Sequence, residues 1–250
     1  MRLMGLDFSI RTDKGKRKVN EDYALCVRRK DGICLFIVAD GLGGHGRGDE
    51  ASRFVTEFFR DSFITAKEVD EGFLSKTFRE AQAALIEKKN QSEDPELAQL
   101  TTAAVLLIDD ECYQYGWSGD SRVYVFEDRK AVLRTADHSV PQLLFESGEI
   151  GEDEIRKHPD RNKIISAFGI RSEDFVYTVS PVEKYSEKND FLLCTDGLWE
   201  YVLEEEMEKE LEKTDKAAKW LDRLFDCVQK QEFSNILDNY TAIAVRNKKK

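Results

Sequence analysis

The segment Ile33–Gly41 reads Ile-Cys-Leu-Phe-Ile-Val-Ala-Asp-Gly, an unbroken apolar run that ends in an aspartate–glycine pair. Short apolar runs that are rich in β-branched and aromatic residues and end at a turn signal are typical of buried β-strands. Similar runs recur along the chain. We predict strands at Tyr23–Val27, Ile33–Ala39, Thr102–Ile108, Cys112–Trp117, Arg122–Glu127, Ala131–Arg134, Phe175–Val179, Asp190–Cys194 and Tyr240–Val245.

Two longer blocks show the three- and four-residue apolar spacing of amphipathic helices. The first covers about residues 50–89 and is predicted as two helices with a break near residues 70–72. The second covers about residues 203–232, again as two helices, with Thr214 or Asp215 as the N-cap of the latter. Because the strands are grouped between helix pairs, the order favours an α+β fold of antiparallel sheets covered by helices over a parallel doubly wound sheet.

One stretch, residues 139–172, differs from the rest because it is charged, contains Gly148 and Gly151 as well as Pro141 and Pro159, and offers only short helical pieces. We interpret it as a surface subdomain inserted into a single domain that covers residues 1–250. The chain has 250 residues, of which 41% are hydrophobic, and this is enough apolar material for one substantial core.

The charge balance excludes several classes of partner. With 38 Lys and Arg against 49 Asp and Glu, the net charge is −11, which argues against binding nucleic acid or an acidic membrane surface. The first residues carry no long apolar segment, and the longest apolar run, Ala103–Ile108, is far below the ~20 residues of a membrane span. The five cysteines are scattered and are interpreted as reduced thiols. We therefore expect a cytoplasmic protein that binds neither nucleic acid nor membrane.

Aspartates fall at the ends of several predicted strands, at Asp40, Asp120, Asp196 and Asp238. Each of them alone is explained by a tight turn. Four carboxylates that meet at one sheet edge would repel one another, and such a group favours a divalent cation. Oxygen ligands suit Mg²⁺ and Mn²⁺, whereas the three histidines lack the spacing of a zinc site. Two such ions can activate water for displacement at phosphorus.

A second pattern, Gly41–Gly46, matches the glycine spacing of dinucleotide-binding proteins, and Asp61 follows about twenty residues later. Two features argue against this interpretation. Asp40 directly precedes the first glycine, where its charge would repel a pyrophosphate, and the chain then continues into two helices instead of returning to a parallel strand.

Five short motifs occur in an order that resembles the metal-dependent serine/threonine protein phosphatases of the PPM/PP2C family, in their bacterial form. These motifs are Arg17–Asp22 (RKVNED), Val38–His45 (VADGLGGH), Ser118–Arg122 (SGDSR), Thr195–Glu200 (TDGLWE) and Asp238–Thr241 (DNYT). The resemblance covers nearly the whole chain, and the insert at residues 139–172 is similar to the flap subdomain of the family. It implies a central β-sandwich of two antiparallel sheets flanked by antiparallel helix pairs.

The resemblance also implies a metal centre of two Mn²⁺ or Mg²⁺ ions. In that scheme Asp40 bridges both ions and the Gly41 carbonyl binds one of them, while Asp196 and Asp238 bind the other. Bacterial members can hold a third, weaker ion, here between Asp120 and Asp196.

Further roles follow from the same resemblance. Glu21 and Asp22 are expected to hold metal-bound waters, and Arg17 is expected to grip the phosphate oxygens through its planar set of donors. Eukaryotic members have a histidine directly after the Asp-Gly pair, but Leu42 stands there in this chain. His45 follows three residues later and is either the general acid or a residue that orients the glycine-rich turn.

Three other polar residues are expected to be structural. His138 and His158 are assigned to packing, and Arg122 is expected to brace the edge of a sheet. None of the cysteines has the surroundings of a nucleophile, so no phosphoenzyme is expected.

The activity implied is hydrolysis of phosphoserine and phosphothreonine by a hydroxide that bridges two metal ions. The expected partners are phosphorylated proteins, including a serine/threonine kinase and its targets, and a monomer is expected. Two alternatives stay open: a catalytically silent binding module of the same fold, and a phosphatase for a small phosphorylated metabolite. The presence of Asp40, Asp196, Asp238 and Arg17 together favours the enzyme.

Overall fold

The computed structural model describes residues 5–43, 47–92, 99–230 and 238–247. Two antiparallel sheets face each other. One sheet has the strand order β1-β13-β12-β8-β9, with β1 at Leu6–Asp13, β8 at Arg122–Glu127, β9 at Lys130–Arg134, β12 at Asn189–Cys194 and β13 at Tyr240–Asn247. The other has the order β10-β7-β6-β3-β2, with β2 at Tyr23–Arg28, β3 at Cys34–Ala39, β6 at Ala103–Ile108, β7 at Cys112–Ser118 and β10 at Thr178–Val179.

Three further strands are short. Strand β11 (Glu183–Lys184) pairs with β7, while β4 (Gly41–Leu42) and β5 (Leu100–Thr101) form a separate ladder next to the end of β3. Because β4 follows Asp40 directly, the chain turns away from the β2–β3 sheet at this aspartate.

A helix pair covers the outer face of each sheet. Helices α1 (Gly48–Thr65) and α2 (Phe73–Asn90) pack on β3 and β6, where Leu35 and Ile37 meet Phe59 and Phe78. Helices α5 (Glu204–Glu212) and α6 (Ala217–Gln229) pack on the other sheet through Trp220. A third apolar cluster lies between the two sheets. These layers confirm the predicted α-β-β-α sandwich.

Within the described ranges, three short helices stand outside these layers. The insert at residues 139–172, called the flap insert below, contains α3 (Val140–Glu146) and a 3₁₀ helix at Glu152–Lys157. Helix α4 (Asp196–Trp199) follows β12 directly. Among the residues that the structure describes, no helix is both long and apolar enough to cross a membrane.

Two local predictions were wrong. Of the strand predicted at Phe175–Val179, only Thr178–Val179 is a strand, because side-chain hydroxyls bind the polar backbone groups of Val176. Ser166 Oγ accepts from Val176 N at 2.8 Å, and Ser118 Oγ donates to its carbonyl at 2.8 Å. The aromatic rings of this stretch pack beside helix α2 instead, as in the 5.2 Å stack of Tyr177 on Phe78.

The second wrong prediction concerns the start of helix α6. Its N-cap is Lys216, and neither Thr214 nor Asp215 has that position. The Ala217 amide donates at 2.8 Å to Asp7 Oδ2, so the acceptor comes from β1, 210 residues away in sequence. Strand β1 was not predicted either.

Candidate active site

The predicted site aspartates all lie where β-strands end or begin. Asp40 follows β3, Asp120 lies in the turn between β7 and β8, Asp196 opens helix α4 after β12, and Asp238 precedes β13. Two hydrogen bonds fix the backbone of Asp40 to one residue, since its amide donates to Thr102 Oγ1 at 3.0 Å and its carbonyl accepts from the Thr102 amide at 2.9 Å.

The same threonine links Asp40 to the turn that carries Asp120. The Thr102 hydroxyl lies 2.6 Å from Ser121 Oγ in a buried hydrogen bond. Antiparallel pairing of β6 with β7 brings this turn beside Thr102, because Ala103 pairs with Ser118. The sheet register thus places two of the four carboxylates at a common edge.

Electrostatics shows that the four carboxylates are neighbours. Burial and the negative charges around Asp40 hold the pKa of its carboxyl well above the ordinary value, and the charges responsible belong to Asp196, Asp22, Asp120 and Asp238. Burial, with the charges of Asp120, Glu200, Asp238 and Asp22, likewise raises the pKa of Asp196. The carboxylates therefore lie close enough to influence one another, and Asp120 among them is buried.

Asp22 directly precedes β2 and is buried in this cluster. Its Oδ2 accepts a 2.9 Å hydrogen bond from Thr195 Oγ1, and burial with the charge of Asp238 raises its pKa to about 7. Burial also raises the pKa of Asp120 to about 7, with help from the charge of Asp137. The pKa values of both carboxyls are therefore well above 3.8, the value that they would have in water.

Glu21 connects three parts of the site through its backbone. Its carbonyl accepts from the Gly41 amide at 3.1 Å and from Ser52 Oγ at 2.6 Å, and its amide donates to Asn239 Oδ1 at 2.8 Å. The first turn of α1 approaches closely here, since a Cβ on Gly48 would lie 2.7 Å from Glu21 Oε1 and 2.7 Å from the Gly41 carbonyl carbon. Only glycine fits at this position without displacement of the backbone.

Arg17 reaches the cluster from the loop between β1 and β2. Its Nη2 lies 2.6 Å from Asp238 Oδ2, and both side chains are partly exposed, at 51% and 37%. The hydrogen bond that Arg17 donates to Asp238 raises the pKa of Arg17. The side chain of Asn239 holds the loop in place by donating to the carbonyls of Lys14 (2.9 Å) and Val19 (3.0 Å).

Among the described residues, five buried side-chain oxygen atoms have no hydrogen-bond partner, and two of them belong to the site: Oδ1 of Asp22 and Oδ1 of Asp196. Such atoms are costly unless something binds them. Within the described ranges, however, no three His, Cys, Asp or Glu side chains already have the arrangement of a metal site. The unsatisfied oxygens, together with a donor set made only of oxygen, fit a hard cation such as Mn²⁺ or Mg²⁺.

Other predicted residues have the expected structural roles. Arg122 is buried and forms a two-bond ion pair with Asp137 (2.8 and 2.7 Å), so it braces the sheet edge. His138 stacks on Trp117 and accepts from the Gly119 amide through Nδ1 at 3.2 Å, and burial lowers its pKa. His45 lies outside the described residues, and its assignment stays a prediction.

The thiols also behave as expected. All five cysteines are free, and burial raises the pKa of Cys34 to about 11, so this thiol is not an activated nucleophile.

Sequence reasoning did not assign a role to three residues of the site. Glu200 forms an ion pair with Arg161 (3.0 Å), and its charge helps to raise the pKa of Asp196. Asn239 holds the loop that carries Arg17. Trp199 donates a hydrogen bond to the backbone carbonyl of Asp120. All three lie within quoted motifs, directly after a metal-ligand candidate or within four residues of one. Their position was the only signal available.

An apolar cavity of about 360 Å³ lies at the opposite end of β3, between the α1–α2 connection and the β6–β7 turn. Its walls include Ile33, Leu107 and Tyr113, and none of the predicted site residues lines it. The candidate site is therefore the group of strand ends that carries Asp22, Asp40, Asp120, Asp196 and Asp238, called the acidic edge below, and not this cavity.

Comparison with known proteins gives one consistent result. The sequence model of the family described as Protein phosphatase 2C matches residues 13–240. A curated relative, the serine/threonine phosphatase stp of Listeria monocytogenes, is 32% identical over 206 residues, which cover 80% of each chain.

Solved structures agree. The serine/threonine phosphatase Stp1 from Staphylococcus aureus superposes with a TM-score of 0.88 at 25% identity, covering 100% of this chain and 98% of that one. The catalytic domain of the phosphatase PstP, solved in complex with two manganese ions, superposes with a TM-score of 0.80 at 25% identity and covers 96% of this chain and 97% of that one.

Proposed function

The chain belongs to the protein phosphatase 2C family, and on this premise we propose that it hydrolyses phosphoserine and phosphothreonine in proteins. One observation carries the proposal: carboxylates at strand ends of both sheets meet at one end of the sandwich, where burial and their like charges raise the pKa values of Asp40 and Asp196. Negative charge concentrated in this way is unfavourable until a cation neutralises it. Hydrolysis that depends on a bound cation is therefore the function that these carboxylates support best.

The residues that would hold the cations are those of the acidic edge. Asp40 with the Gly41 carbonyl, together with Asp196 and Asp238, would bind two ions, and Asp120 with Asp196 would bind a third, weaker one. The ions are proposed to be Mn²⁺ or Mg²⁺, and the two manganese ions of the PstP complex support the former. When bound, such ions supply positive charge and turn a water molecule into a nucleophile near neutral pH.

Arg17 is assigned to the phosphate. Its side chain is half exposed, and its contact with Asp238 places the guanidinium at the rim of the acidic edge. A planar guanidinium can donate two parallel hydrogen bonds to a phosphoryl group and neutralise charge that develops there. We expect Arg17 to exchange Asp238 for phosphate oxygens as Asp238 turns toward a cation.

Glu21 and Asp22 are assigned to ordering water beside the cations. The free Oδ1 of Asp22 is available for this task, while its Oδ2 is fixed by Thr195. His45 is assigned as the donor of a proton to the departing serine or threonine oxygen. Its substitution by Gln would then remove one limb of the pH–rate profile, whereas a residue that only orients the turn would leave the profile unchanged.

We assign the whole chain, residues 1–250, to one phosphatase domain in which the flap insert contributes to the choice of substrate. The proposed substrates are phosphorylated proteins, including a serine/threonine kinase and its targets. The proposed working state is a monomer in the cytoplasm, a compartment that suits the five free thiols.

Phosphate release from a phosphothreonine peptide tests the proposal. We expect release with Mn²⁺ present and its loss when EDTA is added. If the protein binds Mn²⁺ but releases no phosphate from any substrate, it is a silent binding module. Release from a small phosphate ester but from no phosphopeptide would identify a small-molecule phosphatase instead.

A further inference from the structure

Trp199 joins the two acidic residues Asp120 and Asp196. It is the last residue of helix α4, which Asp196 opens, and its side chain is 1% exposed. Its indole Nε1 donates to the backbone carbonyl of Asp120 at 2.9 Å. A single rigid side chain therefore ties the helix that carries one carboxylate to the turn that carries the other.

A buried ion pair holds the indole in place. The Arg122 guanidinium lies 3.5 Å from the centroid of the Trp199 ring, a close cation–π contact. Arg122 is fixed in turn by Asp137, at 2.8 and 2.7 Å, and by the Tyr124 hydroxyl at 3.0 Å. Because Arg122 and Asp137 are both buried, the guanidinium has little freedom to move. The Trp199 ring that packs against it is held in place for the same reason.

The flap insert reaches the same ring. Arg156, in the 3₁₀ helix of the insert, lies 5.6 Å from the ring centroid of Trp199. It also pairs with Glu204 (2.5 Å) and donates to the Val202 carbonyl (3.3 Å), which fixes the insert to the segment after α4. The flap insert, Asp120 and the helix that carries Asp196 are thus all linked through the Trp199 side chain.

We propose that Trp199 is a positioning residue that holds Asp120 and Asp196 at the separation a shared divalent cation requires, and that Arg156 connects the flap insert to this pair through the indole. This inference rests on the proposed function, because it concerns the cation that the two carboxylates would share. Residues that orient metal ligands typically contribute 10–100-fold to metal affinity.

The Trp199 hydrogen bond holds the backbone of Asp120, so it can keep the Asp120 and Asp196 carboxylates near each other although they carry like charges. Asp120 and Asp196 carry like charges, so the two carboxylates repel one another when no cation lies between them. Without the indole hydrogen bond, α4 and the β7–β8 turn can move apart under this repulsion, and a cation must then draw them together at a cost in affinity.

The test compares two tryptophans of the same core. Trp199→Phe keeps an aromatic ring against Arg122 but removes the hydrogen bond to Asp120. Trp220→Phe is the matched control, because Trp220 is equally buried in the same cluster and donates its Nε1 to the Met207 carbonyl at 3.1 Å. Both variants lose one buried indole hydrogen bond, and only the first loses it at the acidic edge.

Two readouts are measured, namely Mn²⁺ binding, by electron paramagnetic resonance of the free ion, and phosphopeptide kinetics at several Mn²⁺ concentrations. For Trp199→Phe we expect the weakest Mn²⁺ affinity to fall about tenfold, within the range for residues that orient ligands, with KM for peptide unchanged at saturating Mn²⁺. Trp220→Phe should bind Mn²⁺ as the wild type does. Equal Mn²⁺ affinity in all three proteins overturns the positioning role.

The flap connection has its own pair of variants. Arg156→Gln removes the guanidinium from the indole, whereas Arg134→Gln breaks the ion pair of Arg134 with Glu152 (2.8 Å) in the same 3₁₀ helix without touching Trp199. We expect Arg156→Gln alone to weaken Mn²⁺ binding, and this variant also serves if Trp199→Phe does not fold. Equal effects of the two variants contradict the connection. If the wild-type protein binds no Mn²⁺, the proposed function itself is overturned. If the wild type and the variants bind Mn²⁺ equally, only the positioning role is overturned.

Discussion

The Arg17 guanidinium lies 2.6 Å from the Asp238 carboxylate, 221 residues away in sequence. A residue assigned to phosphate therefore contacts a residue assigned to a cation. The contact relieves part of the negative charge at the acidic edge, and it keeps the guanidinium next to the position where phosphate would bind.

Arg17→Ala is expected to raise KM for a phosphopeptide and to lower kcat/KM about 30-fold, because hydrogen bonds to charged groups contribute roughly 2 kcal/mol. Steady-state kinetics at saturating Mn²⁺ measures this. Arg11→Ala is the control, since Arg11 forms a comparable surface ion pair with Asp222 at 2.9 Å but lies on the outer side of β1 against α6. Unchanged kinetics for Arg17→Ala would contradict its role.

Asp40→Asn is expected to lower phosphatase activity by orders of magnitude while the fold survives. Because buried like charges hold the pKa of Asp40 well above its ordinary value, a neutral side chain should also raise the melting temperature of the metal-free protein at pH 7.5. Thermal denaturation in EDTA and a phosphopeptide assay measure the two effects. Asp222→Asn, at an exposed carboxylate, should change neither one by much, and near-wild-type turnover of Asp40→Asn would refute the assignment.

The stability of the metal-free protein should fall as pH rises from about 4 to above 7. The pKa values of Asp22 and Asp120 are raised from 3.8 to about 7 by burial first, so the folded state holds protons that the unfolded state releases in this window. The stabilisation is thus complete below pH 3.8 and is lost as pH passes 7. Urea denaturation in EDTA at pH 5 and pH 8 measures the difference.

The matched variant for this pH effect is Asp120→Asn, which should show a smaller loss of stability between pH 5 and pH 8 than the wild type. Saturating Mn²⁺ should reduce the loss as well, because a cation favours the ionised carboxylates. A wild-type protein that becomes more stable with rising pH in EDTA would be inconsistent with the crowded acidic edge.

Gly48→Ala is expected to destabilise the protein by about 1–3 kcal/mol, the usual cost of overpacking. The new Cβ would lie 2.7 Å from both the Gly41 backbone and the Glu21 carboxylate, and we therefore expect activity to fall as well. Gly72→Ala is the control, because its Cβ would lie only near the Asp70 side chain, at 3.3 Å. Chemical denaturation compares the two variants, and equal stability would show that the close approach at Gly48 is unimportant.

The fold was largely predictable where a strand is both apolar and bounded by turns. Strand β8 was predicted at its observed bounds, and β3 differed by one residue. Strand β1 was missed because it is half exposed, with alternating burial over Leu6–Asp13, and its short alternation of apolar and polar residues is a weaker signal than an apolar run. The stretch before β10 was overpredicted because its backbone is bound by distant serines.

The site divides in the same way. Motifs quoted from the sequence contain Asp22, Asp40, Asp120, Asp196 and Asp238, whereas Asp137, whose charge acts on Asp120, lies outside them. The contacts between motifs were not predictable, because the Thr195–Asp22 hydrogen bond and the Trp199–Asp120 hydrogen bond join residues 173 and 79 positions apart. Such pairs depend on sheet register and on helix placement, and a single sequence carries no direct signal for either.

The central claim is that Asp40, Asp196 and Asp238 together hold divalent cations. Anomalous diffraction at the manganese edge, from crystals grown with Mn²⁺, tests it most directly. The expected result is two strong anomalous peaks, each within about 2.3 Å of oxygen atoms of these carboxylates, a separation typical of hard cations bound to oxygen. Crystals that contain Mn²⁺ elsewhere but show no peak among the three carboxylates would contradict the account.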